Sequence, residues 1–279
     1  MGIVAAIQMT SSHLVEENLA SAGRLLREAR DAGAEVACLP ENFAFIGLRD
    51  ADKLQIAERD GDGPAQNFLR DTARKLGLWI LGGTINIRTA AEGRVANSSL
   101  LIDRDGRRVA RYDKIHLFDV AIPGRNEQYR ESSTVAPGCR IVVADTPVGR
   151  LGLSVCYDMR FPELYRDLVA QGAVWLAMPA AFTVPTGRAH WETLLRARAI
   201  ENLCYVLAPA QVGTHTSGRE TYGDSLIVDY WGQVLARLPA EQGVITADLD
   251  LARQAEARGR FPALDNRQLP IAVREAVPI

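Results

Sequence analysis

The chain has 279 residues, a formal net charge of −2, 47% hydrophobic and 24% charged residues. These proportions suit a folded chain with a sizeable core, in one large domain or two smaller ones, and exclude a low-complexity chain. Neither charge sign dominates, which points away from nucleic acid and anionic membrane, and no apolar run reaches the ~18 residues of a membrane span.

In chain order, strand-like and helix-like segments alternate. Met1 to Met9 has no basic leader and reads as a strand over Ile3–Gln8, with no cleavable signal expected. Glu16 to Ala32 carries helical spacing (Leu19, Leu25, Leu26, Ala29) and stops at Gly33. Val36 to Leu39 is a second strand, closed by Pro40. Gly61-Asp62-Gly63-Pro64 reads as a turn before a helix over 64–76, which Gly77 ends. Leu78 to Ile87 reads as one buried strand. Ser98–Asp103 and Arg107–Tyr112 flank Arg104-Asp105-Gly106, a hairpin signature. Asp119 to Ser133, with Pro123, Gly124 and Asn126, is a polar loop long enough to serve function. Val148 to Val155 alternates as a strand, and Pro162 and Glu163 open a helix to Gln171. From Leu251 the chain starts helical and ends irregular.

The second half repeats the plan of the first. Gly33-Ala34 through Pro40 and Phe43 parallels Gly172-Ala173 through Pro179 and Phe182. Ser99 to Arg111 aligns with Ser225 to Arg237, with Ser, Leu, Asp, Gly, Ala and Arg in the same columns. Two such halves predict an α/β fold with sheet on sheet and helices outside, as one domain over residues 1–279. A chance match of two hairpins is the competing reading.

Four cysteines (Cys38, Cys139, Cys156, Cys204) lie far apart without a CxxC pair, so reduced thiols and a cytoplasmic location are expected. With the four histidines they show no metal-ligand spacing, and there is no P-loop, GxSxG or GxGxxG. Cys156 sits at a strand-to-helix turn, where helix N–H groups favour a thiolate and can bind an oxyanion; the competing reading is a core cysteine. Cys38 and Cys204 read as core. Glu41, at a strand's C-terminal end, is a general base if burial raises its pKa, or else a surface carboxylate. Its counterpart in the second half is Ala180. Lys114, among apolar neighbours, is either an oxyanion-facing charge or a snorkelling surface lysine. His116 invites a Cys–His dyad, but an orienting polar role fits better.

Together these segments resemble the carbon–nitrogen hydrolase (nitrilase) superfamily over nearly the whole chain. Leu39-Pro40-Glu41 with Phe43, Tyr112 to Phe118, and Gly152 to Glu163 are similar to its glutamate, lysine and cysteine motifs. The resemblance implies a four-layer α-β-β-α sandwich with an internal pseudo-repeat, associating through helices as a homodimer or higher homo-oligomer. It implies no cofactor and no metal, and a small-molecule amide as substrate. It assigns Glu41, Lys114 and Cys156 to a cysteine-dependent amidase that works through a thioester. The backbone N–H of Tyr157 would help Lys114 hold the oxyanion. Glu131 would be a second active-site glutamate, ranked above its neighbour Glu127.

Within the superfamily, Pro179 to Thr183, Thr186 to Glu192 and Arg196 to Asn202 resemble the Nit subgroup. Ala210 to Gly213 with Thr221 to Ser225 leans toward the branch that hydrolyses deaminated glutathione to α-ketoglutarate and cysteinylglycine, a metabolite-repair role. The alternative is an ω-amidase acting on α-ketoglutaramate; nitrilase, N-carbamoyl hydrolase and an idle binding protein rank lower. Ala180 and Arg188 depart from the subgroup beside the expected pocket. Arg160 matches a position that clamps a substrate carboxylate in related carbamoylases, or is a structural arginine paired with Glu163 or Asp158. Phe182 and Thr183 are expected to line the pocket, or to serve as core and cap. Arg196 and Arg198 with Glu192 and Glu201 read as surface or interface ion pairs.

Overall fold

The computed structural model describes residues 2–124 and 127–268; Met1 and Asn126 lie outside them, as does the end of the C-terminal stretch. Strands β1 (Gly2–Gln8), β2 (Val36–Cys38) and β3 (Trp79–Leu81) run parallel, joined by helices α1 (Val15–Asp31) and α2 (Pro64–Leu76). β4 (Ile85–Arg88), β5 (Val95–Ile102) and β6 (Arg108–Asp113) complete the first sheet. The segment expected as one strand over 78–87 is two. Both pair antiparallel with the same edge of β5, but the register slips by one residue between Leu81↔Leu101 and Ile85↔Ser98. Gly83 sits in the break at φ +29, where a Cβ would meet the Pro40 carbonyl at 1.9 Å. The strand yields there so that the chain carrying Glu41 can pass.

A short ribbon, β7 (Asp119–Ala121) with β8 (Gln128–Arg130), occupies what reads in sequence as an irregular loop. The second sheet contains β9 (Val143–Ala144), β10 (Leu151–Leu153), β11 (Trp175–Ala177), β12 (Tyr205–Ala208), β15 (Ser225–Val228) and β16 (Val234–Leu238). Between β12 and β15, β13 (Val212–Thr214) and β14 (Glu220–Tyr222) form a second ribbon. The strand expected from Val148 begins only at Leu151, because Gly149, at φ +98, turns the chain before it. Helix α3 (Pro162–Ala170) joins β10 to β11 and α4 (Val184–Asn202) joins β11 to β12. β17 (Gly243–Leu249) returns to pair antiparallel with β1 in the first sheet, and α5 (Leu251–Arg260) follows.

The pleat sorts the layers. Ala5, Ile7, Ala37 and Leu39 pack with Ala22, Leu25, Leu26 and Ala29 of α1 and Leu69 and Ala73 of α2. Their neighbours Val4, Ala6, Val36 and Cys38 face the second sheet, with Leu151, Leu153, Trp175 and Ala177. The result is the α-β-β-α sandwich with α3 and α4 on the far side.

The pseudo-repeat is visible in the register. Leu100↔Arg111, Leu101↔Ala110 and Ile102↔Arg108 in the first hairpin match Leu226↔Arg237, Ile227↔Ala236 and Val228↔Val234 in the second. Each hairpin skips one residue in the same column, Val109 and Leu235. Both helix-to-strand entries also match: Ala34 N–H donates to the Ala29 carbonyl and Ala173 N–H to that of Leu168. Cys38 and Cys204 are buried core residues.

Candidate active site

The site lies where the C-terminal ends of β2 and β10 meet the chain leaving β6. Glu41 follows β2, Lys114 follows β6 and Cys156 follows β10. Lys114 is 2%, Glu41 3% and Cys156 7% exposed, so none is a surface side chain. Lys114 Nζ donates to Glu41 Oε1 at 3.0 Å and to Glu131 Oε2 and Oε1 at 2.9 and 3.1 Å. Asn97 Nδ2 donates to Glu41 Oε1 at 3.0 Å and Glu131 Oε1 at 3.4 Å, and Phe118 N–H to Glu131 Oε2 at 2.7 Å. Two carboxylates thus share one ammonium in a nearly dry site.

Burial disfavours the charged form of Lys114, but the Glu131 and Glu41 carboxylates outweigh it and hold the ammonium well above the ordinary lysine range. Burial likewise pushes Glu131 up, and the Lys114 charge and hydrogen bonds with the Phe118 N–H more than reverse it, so Glu131 is held low.

Cys156 adopts φ +49, a left-handed backbone that is uncommon for a residue with a side chain. Its N–H donates to the Pro179 carbonyl at 2.9 Å, and its sulfur feels the Glu41 and Lys114 charges and the Ala181 backbone. The expectation of a thiolate favoured by helix N–H groups is corrected. A 3₁₀ turn, Cys156–Arg160, separates the cysteine from α3. Burial, then the Glu41 charge, pushes the thiol well above its ordinary range, and Lys114 offsets only part. The resting group is a neutral thiol with a carboxylate beside it.

Asp158 holds this turn in place. It is fully buried and accepts from Tyr112 Oη at 2.7 Å, Val155 N–H at 2.8 Å and His116 N–H at 3.0 Å. His116 Nδ1 lies 2.7 Å from Asp158 Oδ1 and its ring stacks on Phe161 at 3.7 Å, so His116 orients its neighbours rather than facing the cysteine. Arg198, expected in a surface or interface ion pair, is buried within the chain. It pairs with Glu201 at 2.7 Å, but its Nε donates to the Met159 carbonyl at 2.9 Å and braces the same turn. Arg196 pairs with Glu192 at 3.4 Å.

Phe182 and Thr183 line the cavity that holds Cys156, with Phe118, Val135 and Thr186. Tyr157 and Arg160 are not among the lining residues. The Tyr157 ring packs against Phe118 and Phe161. Arg160 pairs with neither Glu163 nor Asp158; it lies over the Tyr157 and Phe182 rings and reaches His190 Nδ1 at 3.2 Å. Glu131 stands at the Lys114 ammonium, whereas Glu127 lines a wider outer cavity. Arg188 lines that outer cavity too; Ala180 is instead buried and bridges to Ala210. Sequence reasoning missed Asn97, Gln211, Lys53 and Arg219. The polar run Asn97-Ser98-Ser99 inside an otherwise apolar strand was the available signal for the first. Gln211 Nε2 donates to the Glu41 carbonyl at 3.0 Å and to Ser11 Oγ at 2.7 Å, tying the two halves together behind the site.

Among the described residues no group of three or more His, Cys, Asp or Glu side chains is placed to hold a metal ion.

The carbon–nitrogen hydrolase family profile matches residues 3–259. The chain belongs to this family. Among its relatives, the deaminated glutathione amidase of Synechocystis is 44% identical over 95% of this carbon–nitrogen hydrolase and 97% of that protein. The deaminated glutathione amidase of Yersinia enterocolitica is 42% identical over 95% and 92% of the two chains. The solved NitFhit protein of Caenorhabditis elegans superposes with a TM-score of 0.89 at 39% identity, over 97% of this carbon–nitrogen hydrolase and 66% of that longer chain.

Proposed function

We propose that this carbon–nitrogen hydrolase is a deaminated glutathione amidase, releasing α-ketoglutarate and cysteinylglycine. The observation that carries the reading is the Lys114 ammonium bridging Glu41 and Glu131 in the cavity that Cys156 also lines. As Sγ of Cys156 attacks the amide carbon, Glu41 takes the thiol proton. The oxyanion forms against Lys114 and the Tyr157 N–H. Glu41 passes its proton to the departing amine, the C–N bond breaks and a thioester remains. Water then loses a proton to Glu41 and adds to the thioester carbon; the thiolate leaves, recovers that proton, and the acid is released. Glu131 holds Lys114 in register and keeps it charged. Phe182 and Thr183 line the substrate's path, with Arg160 packed over the Phe182 ring and the Tyr157 ring against Phe118.

Substrate choice rests on relatives that carry this name over nearly their whole length. The runner-up is an ω-amidase, which would release ammonia and α-ketoglutarate from α-ketoglutaramate. Both reactions yield α-ketoglutarate, so one coupled assay compares them. Preference for deaminated glutathione supports the reading; preference for α-ketoglutaramate moves it to ω-amidase. Cys156→Ser is expected to lower turnover by at least about 10³-fold, since an alkoxide is far harder to form than a thiolate. Full activity in that variant would sink the mechanism.

The reading includes one domain over 1–279, supported by β17 crossing back to complete the first sheet. It includes a cytoplasmic setting, which suits four free thiols. It also includes a homodimer through the α4–α5 face, where Trp231 stacks edge-on to Phe261 and, with Ile200, leaves a large apolar surface exposed.

A further inference from the structure

The cavity around Cys156 is small, about 60 Å³, room for a handful of waters. It opens into an outer cavity of about 650 Å³, and the two share Asn42, Asp50, Lys53, Asn86, Tyr129, Thr183 and Arg219 along the neck. A substrate that releases only ammonia has nothing to place outside. One that releases a dipeptide does.

Two cations stand at this neck without full partners. The ammonium of Lys53, on the 3₁₀ turn Asp50–Leu54, has no hydrogen-bond or ion-pair partner among the described residues. Burial lowers its proton affinity, and the charges of Glu131 and Asp50 repay only part. Arg219 is fixed by its Nη2 bond to the Ala181 carbonyl at 3.0 Å and by the Tyr129 ring, 5.8 Å away. Its Nε–H is buried with no acceptor among the described residues. Ala181 lines the same cavity as Cys156, so this bond places Arg219 beside the reacting centre. A part-buried ammonium and an orphaned guanidinium N–H are costly until an anion supplies what they lack. Asp50, on the same neck, opposes an anion there; Glu127 and Glu220 line the outer cavity beyond.

We propose that Lys53 and Arg219 form a carboxylate subsite on the leaving-amine side, selecting amides whose amine portion is a dipeptide with a free terminal carboxylate over those that release ammonia. In deaminated glutathione the occupant is the terminal carboxylate of cysteinylglycine. The inference rests on the functional reading above and deepens it.

The test measures kcat and KM of wild type, Lys53→Met and Lys53→Arg on three substrates: deaminated glutathione, its C-terminally amidated form, and α-ketoglutaramate. Deaminated glutathione and α-ketoglutaramate share the acyl carboxylate; of the three substrates, only deaminated glutathione carries the leaving-side one. Lys53→Met is expected to cost roughly 10- to 100-fold more in kcat/KM on deaminated glutathione than on α-ketoglutaramate, mainly through KM. Amidation of the substrate should cost wild type a similar factor, the two losses should not add, and Lys53→Arg should recover most of the loss. Equal losses on both acids, or full additivity with amidation, would overturn the subsite while leaving the amidase standing. The amidation arm needs no variant, so a misfolded Lys53→Met cannot hide the answer. If wild type hydrolyses neither acid, the functional reading falls and the subsite with it.

Discussion

Cys156 departs from the familiar picture of a cysteine nucleophile primed as a thiolate. Its thiol is pushed well above the ordinary value of 9.0 by burial and by the Glu41 charge. Deprotonation is therefore expected inside the attack step, by Glu41. A rate that depended on free thiolate would climb steadily through alkaline pH; this one should stay nearly flat from about pH 7 to about pH 9 in kcat/KM. Mass-spectrometric labelling adds a second reading. Cys139 is exposed and reports the general electrophile reactivity, while Cys156 labelling should slow selectively in Glu41→Gln. A tenfold rise per pH unit at Cys156, unaffected by that substitution, would refute base-assisted attack.

Glu131 makes a stability prediction with a definite sign. Burial raises it, but the Lys114 charge and hydrogen bonds win, so its folded pKa lies below its unfolded one. A depressed carboxylate contributes stability that is fully present above its unfolded pKa and is lost as pH falls through the folded value. Glu131→Gln should therefore flatten the acid limb of Tm against pH, and lower Tm near neutrality because Lys114 loses a counter-charge. An unchanged acid limb would show that this ion pair does not govern acid unfolding.

At the scale of elements, the 3₁₀ turn Cys156–Arg160 is the part that has to be held. A left-handed cysteine between a strand and a helix persists only when its surroundings over-determine it. Asp158 does this from below with three hydrogen bonds from Tyr112, Val155 and His116 N–H, and Arg198 from the side through the Met159 carbonyl. Asp158→Ala strips the acceptor from all of these buried donors and is expected to cost about 3–5 kcal/mol, with activity lost in proportion to the disordered turn. Thermal denaturation checks it; a Tm within one or two degrees of wild type would mean the turn is held by packing alone. This role could not be read from the sequence, where Asp158 is one acid in a motif. His116 and Tyr112 lie more than forty positions away, and only pairing of the two sheets brings them together.

Across the whole molecule, the Trp231–Phe261 pair and Ile200 stand among the large apolar side chains left exposed on the described surface. If the chain dimerises through it, Trp231→Glu should shift the sedimenting species to monomer while leaving the monomer's fold intact by circular dichroism. An unchanged species would move the interface elsewhere.

The fold was largely legible because its determinants are local or repetitive. Hydrophobic period located α1, α2 and the first strands, glycines closed the helices, and the two hairpins announced themselves by a shared column pattern that the registers reproduce, including the skipped residue. Glu41, Lys114 and Cys156 were legible too, because each sits in a distinctive run at an element's end. What sequence could not carry was the environment of those groups. That Lys114 is shared between two carboxylates, that burial makes Cys156 a neutral thiol, that Arg198 faces inward, and that Lys53 and Arg219 meet at one neck all depend on distant segments converging. Electrostatics and burial are properties of three-dimensional neighbours, so the sequence alone determined which residues could react, and only the tertiary structure decided their protonation, their support and the shape of what they can receive.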